Sequence, residues 1–515
     1  MTAQGARLCR LLFSARAQSE SNKSFFVSLS DKSKRAADVV LVGSDGGTQM
    51  KGVSFNERRN QKRKIKSKNK KTQSIGVKPC VGYNGFMSEH TTTDFARRSG
   101  DAESPDIGIA PSDRRYHFYT IGRTGTGKST MLANMIIQDL IAGRGLALID
   151  PHGDLAQQVL AFVPPNRKNH LVYFNPADAD YPIGLNVLER VEASERPLVA
   201  ANLMSVFRKS WSDSWGPRMS YLLHNALLAL LENPGSTLLG MVRLLSDERF
   251  RNTIVGNIED PVVRHYWKKE FAGFPERLLP EVISPVQNKI GAYLTHRALR
   301  NILGQTRSSV NFEHLLNANG IFIANLSKGL IGEDAANLLG SLLVTKFQLA
   351  AMARASMPEH ERQDFYLYVD EFHNFTTDSF ADILAEARKY RLNLILAHQY
   401  LGQLSERTRN AVLANVGTMV MFRLGPDDAK ILAKEIEPHY AWNDLVNLSP
   451  HEVIYKLQRN GKIDRPHQAT TLTPLPAPHP DQESWRQHLI VASRRRYARH
   501  RESVERKIGR FFSTT

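Results

Sequence analysis

From about residue 107 the chain alternates short, unbroken apolar runs with amphipathic stretches. YHFYTIG (116–122), GLALIDP (145–151) and HLVYFNP (170–176) read as strands. So do GIFIANL (320–326), FYLYVDE (365–371), LNLILAHQ (392–399) and GTMVMFR (417–423). Between them, KSTMLANMIIQDLIA (128–142) and stretches at about 333–355, 378–390 and 427–436 carry helical spacing. Apolar runs without polar alternation are what strands buried on both faces look like. The pattern therefore predicts an α/β fold with a mainly parallel sheet. Residues 190–300 show amphipathic helical runs and no clear strand, which makes them an all-α insertion between strands. HEVIYKLQRNGKIDRPHQATTL (451–472) reads as a hairpin turning at Asn460-Gly461. TPLPAPHP (473–480) is a linker, and 481–515 a basic C-terminal helix. No run reaches the roughly 18 apolar residues that span a bilayer. The best candidate, MSYLLHNALLALLE (219–232), is broken by His224 and Asn225 and reads as a buried helix.

The first strand ends in GRTGTGKST (122–130), which fits G-x-x-x-x-G-K-[ST] between a strand and a helix. Gly122, Gly125 and Gly127 let successive N–H groups turn toward phosphate, with Arg123, Thr124 and Thr126 between them. The helix that follows aims its positive end at the same anions. Lys128 would bridge the β- and γ-phosphates, Ser129 would offer its hydroxyl to Mg²⁺, and Thr130 completes the loop. This is a site for a nucleoside triphosphate, with ATP and Mg²⁺ as the expected ligands.

FYLYVDEF places Asp370 and Glu371 at a strand end. Asp370 suits the Mg²⁺ shell and Glu371 suits polarising a water, so the pair favours hydrolysis over nucleotide sensing. Gln399 ends the next strand, where an uncharged donor can sense the γ-phosphate. Two readings stand for Arg388: an arginine finger acting in a neighbouring subunit, or a cation complementing a helix C-terminus. Asp150, His152 and Asp154 in LIDPHGDL read first as a capped strand-to-helix turn. His224, His265, His296 and His314 lack metal-ligand spacing.

Composition changes the picture at the ends of the chain. At 515 residues and 42% hydrophobic content, the bulk is globular and large enough for two or three domains. Two cysteines, Cys9 and Cys80, provide neither a disulfide framework nor a zinc site. The net charge of +17 invites a nucleic-acid partner. However, residues 1–86 hold 18 Lys+Arg and 5 Asp+Glu (+13), and 481–515 hold 9 and 4 (+5), leaving 87–480 at 17 − 13 − 5 = −1. The run ERRNQKRKIKSKNKKTQS (57–74) has almost nothing to bury, so 1–106 is expected to be a disordered basic tail. A start at Met87 instead of Met1 is the alternative.

Taken in order, GRTGTGKST, DPHGDL, YLYVDEF, AEARKYRLNLILAHQ and the helical insertion resemble the coupling ATPases of conjugation and type IV secretion, within the HerA–FtsK group of DNA-pumping motors. The resemblance covers about 107–475. It implies a RecA-like ATPase domain formed by 107–189 and 301–475, with the all-α domain 190–300 inserted. It further implies a homohexamer around DNA, and nucleotide-site positions for Lys128, Asp370, Arg388 and Gln399, Arg388 acting across a subunit boundary. Relaxase–DNA or secretion-channel components are the partners implied. Membrane-bound coupling proteins carry N-terminal transmembrane helices. None is found here, so the expected location is the cytoplasm, with recruitment to the membrane by a partner. A pilus-assembly ATPase, a HerA-like repair translocase and a non-pumping adaptor for relaxase–DNA are the rival readings.

Overall fold

The computed structural model describes residues 92–98, 105–189, 191–377 and 379–513, together with the backbone of two strands nearer the N-terminus. The chain divides into two units, Met1–Lys78 and Pro79–Thr515. In the first, β1 (Val39–Val42) pairs antiparallel with β2 (Thr48–Lys51). Met87, Cys9, Cys80 and the basic run 57–74 lie outside the described residues.

The second unit is built on one 11-stranded sheet. Its strands are β3 (Thr93–Arg98), β4 (Asp106–Ile109), β5 (Phe118–Ile121), β6 (Gly145–Asp150), β7 (Leu171–Phe174), β8 (Ile321–Asn325), β9 (Phe365–Val369), β10 (Leu392–His398), β11 (Thr418–Met421), β12 (Glu452–Lys456) and β15 (His467–Thr471). They lie in the order β4-β3-β15-β12-β11-β5-β10-β9-β6-β8-β7. From β11 to β7 every pairing is parallel, and from β11 to β4 every pairing is antiparallel. All seven strands read from the sequence are present and run parallel, and all their residues are buried. Helices cover both faces. One apolar core holds the Lys128–Ile141 helix, and the other holds Glu333–Met352 and the helices between β7 and β8. This is the α/β class expected.

The hairpin turns at Asn460 (φ +51°) and Gly461 (φ +78°), between β13 (Gln458–Arg459) and β14 (Lys462–Ile463). Two positive φ angles in succession make the Asn-Gly pair the natural choice there. No strand lies between β7 and β8 among the described residues.

Three expectations change. First, β3 falls inside the segment 1–106 expected to be a disordered tail, yet it is ordered in the sheet between β15 and β4. Phe95 and Ala96 are fully buried there, Phe95 edge-on to Phe118 and Tyr455. Second, the single C-terminal helix is two, Gln482–Tyr497 and Arg501–Ser513. The break is set by pairing: Ala498 bridges Ile183, and the N–H groups of Arg499 and Arg501 donate to Pro182 O (3.2 Å) and Asp180 O (2.9 Å). Third, the helical stretch Glu333–Ser356 is long and apolar enough to cross a membrane by length and composition. Its most apolar window is 78% buried within the fold, so its apolar surface is already used.

Candidate nucleotide site

The site forms at the carboxyl ends of β5, β6, β9 and β10, where open parallel sheets place ligands. The loop 122–127 leaves β5 held at its base by two bonds. Gly122 N donates to His398 O (3.4 Å) and Arg123 N to Arg423 O (3.1 Å). Within it Thr126 Oγ1 donates to Arg123 O (2.7 Å). Gly127 has φ +115°, and a Cβ there would lie 2.7 Å from His451 Nδ1, so only glycine fits. His451 N also donates to Thr126 O (2.9 Å), which fastens the hairpin to the loop. Arg123, Thr124, Gly125 and Ser129 are exposed and Thr130 is half-buried, whereas Lys128 is buried. The Lys128 ammonium donates to Gly122 O and, at 3.2 Å, to Arg123 O. Burial lowers its pKa while Glu371 and Asp370 raise it, which puts both acids within electrostatic reach of the lysine.

Asp370 and Glu371 follow the last residue of β9, and Asp370 N is bound to Ile149 O of β6 (3.1 Å). Burial, with Asp150 and Glu371 nearby, pushes Asp370 up to about 7. A cation placed at this carboxylate would relieve that penalty. Among the described residues no cluster of three or more His, Cys, Asp or Glu forms a metal site of its own. A divalent ion at Asp370 would thus draw most of its ligands from water and phosphate, as Mg²⁺ commonly does.

Glu371 adopts φ +46°, a left-handed conformation that costs a non-glycine residue roughly 1–2 kcal/mol. The turn directs its carboxylate toward β10. Gln399 Nε2 donates to Glu371 Oε1 (3.0 Å), so the residue read as a phosphate sensor also grips the acid. Oε2 is buried and has no hydrogen-bond partner, with His373 Nδ1 at 3.4 Å. Asp150 accepts from His152 N (2.8 Å) and Ala156 N (2.9 Å), which is the capped turn expected of it.

Lys128, Asp370, Glu371 and Gln399 thus come together. Arg388 does not join them. It lies before β10, at the opposite end of the strands, its guanidinium 3.5 Å above the Tyr116 ring and donating to Tyr116 OH (2.5 Å). It lines an open groove of about 910 Å³ with Arg115, Arg362, Lys389 and Arg391. Sequence reading missed His373, His398 and Lys209. His398, which is buried and pushed down to about 3, binds Tyr119 OH (2.6 Å) under the loop. No spacing rule marks such residues, because their partners come from distant strands.

The fold is that of the P-loop class, with a candidate nucleotide site at its strand ends. Residues 364–437 match the family model described as the TraM recognition site of TraD and TraG. No curated protein matches the chain in sequence. Among solved structures it resembles the plasmid coupling protein TrwB in complex with the non-hydrolysable GTP analogue GDPNP. There the TM-score is 0.55 at 16% identity over 75% of this chain and 92% of that one. TrwB in complex with ADP and Mg²⁺ gives 0.53 at 16% over 72% and 88%, and the unbound bacterial conjugative coupling protein TrwBdeltaN70 gives 0.54 at 16% over 72% and 89%. At that identity the likeness is one of fold. The chain therefore has the fold of a conjugative coupling protein and carries a TraG/TraD-type segment through β9, β10 and β11.

Proposed function

We propose that the chain is an ATP-hydrolysing DNA translocase, a coupling protein of conjugative transfer or type IV secretion that works as a homohexameric ring. The observation that carries the reading is the meeting of Lys128, Asp370, Glu371 and Gln399 at adjacent strand ends within a coupling-protein fold. TrwB has been solved with nucleotide and with Mg²⁺, which supports the same ligands here. In this mechanism the backbone N–H groups of 122–130 cradle the phosphates, and Lys128 leaves its two carbonyls to reach the β- and γ-oxygens. Ser129 and Asp370 would hold Mg²⁺, which would supply positive charge beside the phosphoryl group. Glu371 Oε2, the oxygen not engaged by Gln399, takes the proton of the attacking water. Gln399 senses the γ-phosphate and keeps Glu371 oriented. Arg388 completes the site of a neighbouring subunit, which fits its distance from the P-loop of its own chain.

The domain reading is kept, with 107–189 and 301–475 as motor and 190–300 as the inserted all-α domain. Residues 1–106 lie outside it except for β3 and Asp106, the first residue of β4. The segment 364–437 also bears on partners. Its strands are buried, so a relaxosome or secretion-channel protein that reads it must use exposed parts, such as Glu406, Arg407 and Asn410 of the helix Glu406–Asn415. The deciding experiment measures ATPase rate without DNA, with single-stranded DNA and with duplex, on 1–515 and 87–515. Stimulation by DNA is expected. Nucleotide binding without hydrolysis on any DNA would favour the adaptor reading instead.

A further inference from the structure

The turn directly after Glu371, residues 372–374, is fastened by two lysines from outside the strands that build the site. Lys328, the first residue of the short helix Lys328–Ile331 after β8, donates to Asn374 Oδ1 (2.8 Å) and Glu333 Oε1 (3.0 Å). Asn374 in turn donates from Nδ2 to Glu371 O (2.9 Å), and its own N–H donates to the same oxygen (3.0 Å). Lys209 comes from further away. It is the penultimate residue of the helix Arg196–Ser210, which belongs to the helical segment between β7 and β8 and packs along Glu333–Met352. Its ammonium donates to His373 O (2.7 Å).

Packing alone does not account for Lys209. Burial and the neighbouring Lys328 push its pKa down to about 7, and among the described residues no carboxylate pairs with it. A methionine would fill the same space without desolvating a charge. What the lysine adds is a fixed donor on the carbonyl two residues beyond Glu371. The left-handed backbone of Glu371 is a conformation that persists only where its surroundings hold it. Through Lys209 the helical segment makes a polar contact with the turn that follows Glu371.

We infer that Lys209 is a positioning residue for Glu371, through which the helical segment sets the rate of the hydrolytic step. The inference rests on the ATPase reading above. Lys209 touches neither nucleotide nor water in this scheme. It fixes His373 O, which fixes the turn, which keeps the free oxygen of Glu371 on the line of attack. Misplacing a catalytic group by about 1 Å costs up to roughly a hundredfold in rate, so loss of one of several restraints is expected to cost about tenfold.

The test uses the full chain with Lys209→Met, which keeps length and apolar stem and removes the donor. The expected result is a kcat for ATP reduced about tenfold, a KM within about twofold of wild type, and an unchanged melting temperature. Lys209→Arg, which restores a donor, should recover most of the rate. Wild-type kcat in Lys209→Met overturns the inference. So does an equal loss in Lys209→Met and Lys209→Arg accompanied by a lowered melting temperature, which is the mark of a merely structural residue. If Lys209→Met does not fold, Lys209→Gln, whose shorter amide falls short of the carbonyl, is held to the same criteria. A wild-type protein that hydrolyses no ATP with or without DNA would instead overturn the ATPase reading.

Discussion

At the scale of single residues, the site separates binding from chemistry. Lys128 is bound to the loop's own carbonyls and faces two acids, so under the proposed function its charge is the counterweight that lets phosphate approach them. Lys128→Ala should abolish nucleotide binding, read by titration with a fluorescent ATP analogue. Glu371→Gln keeps the shape of the side chain and loses the base. It should bind ATP as wild type does and turn it over at least about a hundredfold more slowly in a steady-state assay. Normal turnover by that variant would remove Glu371 from the mechanism. These two residues were legible from sequence because a glycine loop and an acid pair at strand ends are local patterns. His373 and Lys209 were not, since what they do depends on which distant segment folds against them.

At the scale of elements, the same divide between local and distant explains what could be read. The seven parallel strands stood out because burial on both faces demands unbroken apolar runs. The strand β3 (TDFARR), one in from the β4 edge, has a mixed pattern, and its partner β15 is far along the chain, so nothing local announced it. A buried polar network lies alongside it. Arg114 meets Asp139 through two bonds of 2.7 and 2.9 Å, Tyr368 OH donates to Asp139 (2.6 Å), and Arg144 adds a third cation contact at 2.8 Å. Burial is the largest single influence and would raise the Asp139 pKa, but Arg114, Arg144 and the Tyr368 hydroxyl together outweigh it and the net shift is downward. Removing one partner strands the other charge, so Asp139→Asn should destabilise the fold by about 3–5 kcal/mol in a denaturant titration. A depressed carboxylate pKa contributes stability above the unfolded value of 3.8 and loses it as pH falls through the folded one. The gap between wild type and Asp139→Asn should therefore be constant above about pH 5 and close on acidification below about pH 4.

At the scale of the whole molecule, charge and assembly look different from the first count. The C-terminal surplus is partly engaged inside the fold: Arg494 pairs with Asp178 (2.6 Å) and Arg501 with Asp180 (2.8 Å). Residues 87–480 remain near neutral, so a DNA path through the proposed ring would need a local basic lining. Arg388 sits at the far end of the strands from Lys128, so under the proposed ring each site draws on two chains. Arg388→Ala and Lys128→Ala should each be inactive alone and regain ATPase activity on mixing, because some interfaces then pair an intact P-loop with an intact finger. No recovery at any mixing ratio would place Arg388 outside the reaction.

The helix Gln482–Tyr497 has a further consequence. β7 is the last strand of the parallel block, and its Tyr173 N–H donates to Ser493 Oγ of this helix (2.9 Å). Leu489, fully buried, packs in the core on that side. An open sheet edge is a template on which strands of other chains can add, and covering it with a helix is one of the ways folded proteins prevent that. The C-terminal segment therefore guards against aggregation, and a shortened chain ending at the 473–480 linker would expose a sticky edge while leaving every nucleotide-site residue in place.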